Sequence, residues 1–313
     1  MPAQIDSMAY VGQVPWHGLG NSLTDGADID TWRTQAGLDW EAIAAPVHFA
    51  IGEEFYVMDD KVVLARSDNH LPLGVVSSNF RVVQPAQILE FYRELTDISG
   101  DFSMETAGAL FDGRRVWALA RSNREAKLSN DDTLRPYLLL ATGMDGSFAT
   151  IGQFTSVRVV CNNTLQVAMQ ENGSDRVRVT HRGHFDEHQF KQELGLADSA
   201  FDRFMGNAEH LASRLVTAKE AQDFFATLFV GENYADEDVE KSRALPDVLH
   251  TYAAFPGQDT ISARDTAWGL VNGVTAYLDH VRNTHTQDAR LNDAWFGTGH
   301  KLKARALDLA LSL

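Results

Sequence analysis

The chain has 313 residues, of which 44% are hydrophobic and 22% charged, which is typical of a globular protein and excludes a disordered or fibrous one. With 27 basic and 43 acidic side chains, its formal net charge of −16 disfavours nucleic acid and other polyanions as partners. The single cysteine, the absence of an apolar run of roughly 18 residues and the lack of a signal-peptide pattern together favour a cytoplasmic protein without membrane contact.

The first 40 residues are rich in glycine and short polar residues, and we interpret residues 1–45 as an ordered N-terminal arm. Within this arm, a helical pattern begins near Asp30 and ends at Gly37. From Pro46 to Val83, short β-type runs alternate with turn signals, which predicts strands joined by turns. The turn signals lie at residues 59–60, 68–69 and 77–79.

Residues 85–170 have the pattern of a helix, four strands and a second helix. The first helix begins at Pro85 and shows apolar residues at helical spacing up to Leu95. The Asp-Gly pairs at 112–113 and 145–146 favour hairpin turns, so we predict an antiparallel meander. The last strand is followed by a predicted helix, and one more strand is expected at RVRVTHR, residues 176–182.

The rest of the chain shows apolar residues at helical spacing almost to its end. We therefore predict an α+β fold, with an antiparallel β-meander flanked by helices in the N-terminal half and a mainly helical C-terminal region. The expected domains are an arm at 1–45, an α+β core domain at 46–183 and a helical region at 184–313. Helices are predicted at 190–196, 199–215, 218–229, 236–252 and 263–281.

The stretch FTSVRVVCNNTLQVAM, residues 154–169, contains the only cysteine, Cys161. Strand alternation places Cys161 on an apolar face, which indicates a buried structural thiol rather than a nucleophile. Asn162 and Asn163 favour N-capping of the predicted helix. Alternatively, the helix N-terminus and Arg158 form an anion site, and only this second interpretation predicts an exposed corner.

Three segments carry a local excess of basic side chains: residues 114–135, 158–182 and 280–305. Trp117, Tyr137, Trp295 and Phe296 lie in or beside these segments, and single-stranded nucleic acid is bound by such mixtures of cations and rings. The alternative is that the rings are core residues and the cations are solvated. The candidate DNA-binding residues are Arg114, Arg115, Arg135, Arg158, Asn162, Asn163, Arg176, Arg178, Arg182, Lys301 and Lys303.

Residues 184–188 read HFDEH and match the H-x-x-E-H pattern of one class of zinc hydrolases. His184 and His188, with His181 nearby, are therefore weak candidates for a metal site. Trp16 to Gly20, WHGLG, is too short for a dinucleotide fingerprint, and we expect a tight turn there. No other catalytic motif is present, so we expect a non-enzymatic protein without a cofactor.

Several ordered blocks of the sequence match a known family. Through them the chain resembles the phage- and plasmid-encoded proteins grouped as domain of unknown function 932. The resemblance implies a phage- or plasmid-related role but no defined activity. The blocks are WHGLG at 16–20, AGLDW at 36–40, LGVVSSNFRVVQP at 73–85, ETAGALFDGRRVWALAR at 105–121, PYLLLATGMDGS at 136–147, FTSVRVVCNNTL at 154–165, TAWGLVNGVTAYLDH at 266–280 and AWFGTGHKLKARAL at 294–307.

The predicted order of elements in residues 85–170 is similar to the core of the single-strand annealing recombinases of the Erf and Red-beta type. Together with the basic segments, this favours a non-enzymatic accessory protein that binds single-stranded DNA as a homo-oligomer, in annealing or recombination. One alternative is an acidic module that occupies or mimics a DNA-binding site on a host protein. A third is a metal-dependent hydrolase at His184 and His188.

Overall fold

The computed structural model describes residues 5–12, 20–99, 102–158, 163–166, 177–181 and 197–313. The chain divides into two compact units whose segments alternate along the sequence, and we call them the β-rich unit and the helical unit. The β-rich unit comprises Met1–Asn123, Tyr137–Gln153 and Arg176–Ala197, and the helical unit comprises Arg124–Pro136, Phe154–Asp175 and Asp198–Leu313.

The described strands and helices form an α+β fold, with strands mainly in the N-terminal half and helices mainly in the C-terminal region, as predicted. The strands are β1 Ile5–Val11, β2 Asn21–Leu23, β3 Ala42–Ile51, β4 Glu54–Arg66, β5 Pro72–Ser77, β6 Phe102–Leu110, β7 Arg115–Ser122, β8 Ala126–Ser129, β9 Asp132–Gly143, β10 Thr150–Arg158, β11 Asn163–Gln166 and β12 Val177–Val179. The helices are α1 Ile29–Gln35, α2 Pro85–Ser99, α3 Ala197–Ser213, α4 Ala218–Phe229, α5 Asp236–Lys241, α6 Ala244–Ala254, α7 Ala267–Ala276, α8 Gln287–Phe296 and α9 Thr298–Leu311, with a π-helical turn at Tyr277–Val281.

The larger sheet has the strand order β11-β10-β9-β7-β6-β1-β2, with β12 also paired to β10 and β8 to β9. The four strands predicted for the meander are β6, β7, β9 and β10, which are neighbours in this sheet. At the β6–β7 turn, Phe111, Asp112 and Gly113 have φ values of 55°, 60° and 92°. The Asp-Gly pair suits this turn because aspartate tolerates and glycine favours the left-handed region.

The smaller sheet has the order β3-β4-β5 and is antiparallel. The prediction of a turn at residues 59–60 is wrong, because β4 continues through Asp59 and Asp60. The pairing register shifts there instead, since Pro46 is paired with Val62 while Val47 is paired with Met58. The chain reverses at Gly52, whose φ of 63° suits glycine.

The core of the β-rich unit forms where the apolar side of α2 packs on β6 and β7. Ile88, Leu89 and Phe91 are fully buried, in agreement with the helical spacing of apolar residues in the sequence. The Tyr92 hydroxyl lies 3.0 Å from the carbonyl oxygen of Ala118 and 2.8 Å from that of Leu138. Burial raises the pKa of Tyr92 well above its ordinary value, so the hydroxyl is a donor at neutral pH.

The helical unit is built around α7, all of whose residues are buried. The helix predicted at 263–281 begins at Ala267, where the Thr266 hydroxyl caps it, and it ends in the π-helical turn. The helix predicted at 236–252 is two helices, separated at residues 242–243. In the part of the chain that the structure describes, no helix combines the length and the apolar character that crossing a bilayer requires.

A helix is predicted after β10, and this prediction is wrong at residues 163–166, which form a strand. Asn163 begins strand β11, and its register partner across the antiparallel pair is Arg158. Asn163 therefore does not cap a helix, because its backbone is extended and paired with β10. Leu165 is the register partner of Ser156 in the same ladder, so it belongs to a strand and not to a helix. Cys161 and Asn162 lie outside the described residues.

Candidate functional site

A cavity of about 660 Å³ lies within the β-rich unit. Two loops and strand β12 form its walls: the loop after β5, the β9–β10 turn, and the residues from Arg178 to His181. We call it the β12 pocket. It is lined by Ser77, Asn79, Phe80, Gly146, Ser147, Phe148, Ala149, Arg178, Thr180 and His181.

The β9–β10 turn is shaped by local hydrogen bonds. The Asp145 carboxylate accepts from the backbone N–H of Ser147 at 3.0 Å and from its hydroxyl at 2.7 Å. Gly146 has a φ of 76°, which suits glycine. A Cβ atom on Gly74 of β5 would lie 2.7 Å from the Asp145 Cα atom, so only glycine permits this packing. The turn is thus held against the small sheet.

His181 connects the two loops of the β12 pocket. Its Nδ1 atom is 2.8 Å from the carbonyl oxygen of Arg81, and its Nε2 atom is 3.0 Å from that of Phe148. The Arg81 N–H also donates to the His181 carbonyl at 2.7 Å, and the imidazole stacks on Phe80 with ring centroids 4.2 Å apart. Both ring nitrogens face carbonyl oxygens, so neither is directed toward a metal site.

Arg115 lies beside the pocket, with its guanidinium carbon 5.1 Å from the centroid of Phe148 and 5.6 Å from that of Phe111. The side chain is half-buried between these rings, and its Nε atom has no hydrogen-bond partner among the described residues. Burial lowers the pKa of Arg115 from its ordinary value, and the charge of Asp145 acts in the opposite direction. Phe148 thus carries a cation on its ring and also lines the pocket.

Arg178 and Arg114 add exposed positive charge to this region. Arg178 lines the pocket on β12, where it is the register partner of Ile151 of β10. Arg114 precedes β7, and its carbonyl accepts from the Met144 N–H at 2.8 Å, next to the pocket turn. In the described part of the chain, neither side chain has a carboxylate within ion-pair distance. The structure therefore brings together candidates from the first two basic segments.

Other candidate residues have structural roles. Arg135 forms a 2.6 Å ion pair with Glu125. Arg124, which belongs to the same basic segment, is paired with Asp202 at 2.7 Å. Lys303 is only 2% exposed and donates to Asp279, so the expectation that it contacts DNA is wrong. A buried, paired ammonium group cannot reach a phosphate.

Lys301 is exposed on α9, in the helical unit. Its neighbours in the third basic segment are engaged with carboxylates: Arg282 is 2.9 Å from Asp293, and Arg305 is 3.8 Å from Glu232. The expectation that bases stack on the rings in these segments is also wrong for three rings. Trp117, Tyr137 and Trp295 are core residues, with exposures of 1%, 5% and 7%, so a base cannot stack on them.

Several candidates lie outside the described residues, and the structure places none of them in a site. The backbone of Arg158 is described as the end of β10, but its side chain is not. The remaining ones are Cys161, Asn162, Arg176, Arg182, His184 and His188. Among the residues that are described, no group of three or more histidine, cysteine, aspartate or glutamate side chains could hold a metal ion.

Phe80, Phe148 and Asn79 are not among the candidate residues predicted from the sequence. A signal was present, because each phenylalanine directly follows a run of turn residues after a strand, SSNF at 77–80 and DGSF at 145–148. Large rings in such polar loops are more exposed than rings within strands. That two separate loops meet around His181 could be learned only from the fold.

Comparison with known proteins places the chain in a family but adds no function. No curated protein and no solved structure matches it. A family model described as "Domain of unknown function (DUF932)" matches residues 72–295, which include β5, the meander, β12, and most of the helical unit. The matched residues are more than two thirds of the chain, so the protein belongs to the DUF932 family.

Proposed function

We propose that the protein binds single-stranded DNA through the β12 pocket, as a non-enzymatic accessory protein of phage or plasmid type in annealing or recombination. The observation that supports the proposal is a set of aromatic rings and of arginines around one cavity, for two of which the described residues offer no carboxylate partner. Phe80 and Phe148 line the pocket with Arg178, and the guanidinium of Arg115 lies against Phe148. Proteins that bind single strands combine such rings, which stack on bases, with cations that contact the phosphates.

The polar residues of the pocket suit the same ligand. Asn79, Thr180 and Ser77 are exposed side chains that can donate to and accept from a base edge or a sugar. The volume of about 660 Å³ is in the range of sites for small ligands and is large enough for one nucleotide. In this proposal one base enters the pocket while Arg178 and Arg114 contact the neighbouring phosphates.

The net charge of −16 is compatible with this proposal if the positive region is local. Arg124, Arg135, Arg282 and Lys303 have carboxylate partners at 4.0 Å or less, so their charges are compensated. In the described part of the chain, Arg114 and Arg178 beside the pocket have no such partner. A strand would therefore be attracted to the β12 pocket and repelled from the acidic surface elsewhere.

The test is fluorescence anisotropy of a labelled oligo-dT strand titrated with the full chain at about 50 mM salt, where phosphate contacts are strongest. We expect Phe80→Ala to weaken binding roughly 5- to 150-fold, since a base–ring stack contributes about 1–3 kcal/mol. Arg178→Glu should weaken it as well. Lys219→Glu is the matched control, because Lys219 is exposed on α4 in the helical unit and the charge change is the same.

Two outcomes would contradict the proposal. One is the absence of binding by the wild-type chain at low salt. The other is equal binding by wild type, Phe80→Ala and Arg178→Glu, with the fold of each variant verified by circular dichroism. The alternative, an acidic module that acts on a host protein, predicts that Arg178→Glu leaves partner binding unchanged.

A further inference from the structure

The smaller sheet presents an uncovered apolar face. In the described residues, exposed large apolar side chains are concentrated between residues 43 and 75, which is unusual because soluble monomers rarely expose large contiguous apolar patches. We call the side of this sheet that points away from the core of the β-rich unit the outer face. Its exposed apolar members are Ile43, Phe49, Ile51, Tyr56, Met58 and Val75.

The register of the sheet shows that these residues share one side. Ile43 is the partner of Ala65 and Val75 the partner of Val63, and alternation puts Val63 and Ala65 on one side of β4. Along β3, Ile43, Phe49 and Ile51 are an even number of residues apart. Tyr56 is opposite Phe49, with their ring centroids 5.5 Å apart, and Met58 is opposite Val47.

The opposite side of the same sheet belongs to the core only where β5 pairs with β4. Beyond Lys61 this side is exposed as well, at Phe55 (79%) and Val57 (51%). Leu64 is 2% exposed and Val76 is 4% exposed, and both alternate with the residues of the outer face. The outer face therefore has the composition of a core side but lacks a cover. Beyond Lys61, where the pairing with β5 ends, the sheet is a two-stranded ribbon. Isolated two-stranded hairpins are marginally stable in water, so a second layer would stabilise this one.

The area suits a protein interface. If a fully exposed large apolar side chain presents about 200 Å², the six members expose about 550 Å² together at their fractional exposures of 38–65%. A standard interface buries about 800 Å² per partner. The rest of the interface area would come from the flanking backbone and from Val47 and Val63, which are half-buried on the same side.

The charges of the ribbon restrict which partner can cover the outer face. The ribbon carries Glu53, Glu54, Asp59 and Asp60, which would repel an anionic membrane surface or a nucleic acid strand, and which require that the carboxylates of a second copy lie away from them. On the outer face itself, Glu54 lies near the tip, and Lys61 lies toward the base, on the same side as Val63. Two identical faces stacked antiparallel bring Glu54 of each copy toward Lys61 of its partner, whereas parallel stacking would bring like charges together.

We infer that the outer face is the contact surface for a second copy of this chain, with the two sheets packed face to face about a two-fold axis. Such a contact is self-complementary, because each copy contributes the same apolar patch and the same pair of opposite charges. Packed sheets with interdigitated apolar side chains are a standard layer arrangement. The inference is independent of the proposed DNA binding, since none of these residues lines the β12 pocket.

The experiment measures the mass of the full-length chain by sedimentation velocity over a dilution series. The wild-type protein is expected to form a dimer. Phe49→Glu should raise the dimer dissociation constant roughly 100-fold, because it would bury an unpaired carboxylate at the centre of the contact. Ile261→Glu is the matched control, since Ile261 is 72% exposed in the helical unit and should not affect dimerisation. Ile51→Glu is a second variant of the outer face, at a residue that is 65% exposed.

A charge-reversal pair tests the antiparallel arrangement. Glu54→Lys and Lys61→Glu should each weaken the dimer, and the double variant should recover affinity because the opposite charges again face each other. A wild-type chain that is monomeric at every concentration would overturn the inference, as would a dimer that Phe49→Glu and Ile51→Glu leave unchanged. A double variant no tighter than either single variant would overturn the antiparallel arrangement.

Discussion

At the scale of single residues, Asp132 illustrates how a buried carboxyl group organises the helical unit. Asp132 is fully buried and accepts hydrogen bonds from the Ser262 hydroxyl and, at 3.2 Å, from the indole Nε1 of Trp268. Trp268 is itself fully buried in α7. A buried indole N–H needs an acceptor, so this contact links the β8–β9 hairpin to the central helix.

Asp132→Ala should therefore lower the free energy of unfolding by about 2–3 kcal/mol, because the Trp268 N–H and the Ser262 hydroxyl would lose an acceptor inside the core. The neighbouring Asp131 is exposed and accepts from the backbone N–H of Ile261 at 3.2 Å. Asp131→Ala is the control and should change stability by less than about 1 kcal/mol. Urea denaturation followed by tryptophan fluorescence measures both, and equal losses would contradict the assigned role of Asp132.

At the scale of elements, the start of α4 is stabilised by hydrogen bonds between side chains and backbone groups that are close in sequence. The Thr217 hydroxyl accepts from the Glu220 N–H at 3.2 Å, and the Glu220 carboxylate accepts from the Thr217 N–H at 2.7 Å, which is a capping box. Arg214 donates to the same carboxylate at 2.7 Å. The Thr217 backbone hydrogen bond, followed by the contact with Arg214, lowers the pKa of Glu220 from 4.5 to about 2.

This pKa shift predicts an acid-sensitive contribution to stability. Since the pKa of Glu220 is lower in the folded chain, the contribution is fully present above about pH 4.5 and is lost as the pH falls toward about 2. In Glu220→Gln the amide can still accept from the Thr217 N–H but does not titrate. We expect urea midpoints to fall less steeply between pH 4.5 and 2 in this variant than in wild type, and parallel curves would contradict the prediction.

At the scale of the whole molecule, the described residues place only a small number of cations without a carboxylate partner around the β12 pocket. Bound single strands release counterions in proportion to the phosphates contacted, with a slope of log affinity against log salt of about −0.7 per contact. If Arg114 and Arg178 make these contacts, the slope should be about −1.4. A groove formed by all three basic segments would instead give a slope steeper than about −5.

The salt dependence of oligo-dT affinity therefore separates a local site from an extended groove. Arg178→Ala should reduce the magnitude of the slope by about 0.7, because one phosphate contact is removed. Lys301→Ala should leave it unchanged, since Lys301 lies on α9 in the helical unit. A change in slope with Lys301→Ala but not with Arg178→Ala would move the site away from the β12 pocket.

Much of the fold could be predicted because local patterns carry it. The spacing of apolar residues predicted α2 and α4 at their observed positions, and the Asp-Gly pairs marked the two hairpin turns of the meander. Predictions failed where one local pattern fits two structures. Asn163 has the residue type of a helix cap, but β10 offers it a pairing partner, and the extended backbone of β11 results.

The sequence by itself determined the fold class, the family resemblance and the inventory of charges, because these depend on composition and on order along the chain. Only the tertiary structure decided which charges are compensated and which loops meet. Lys303 and Arg178 look alike in the sequence, yet Lys303 is paired with Asp279 inside the helical unit and Arg178 lines an open pocket. The reason is that burial and ion pairing depend on residues distant in sequence, which only the folded chain brings together.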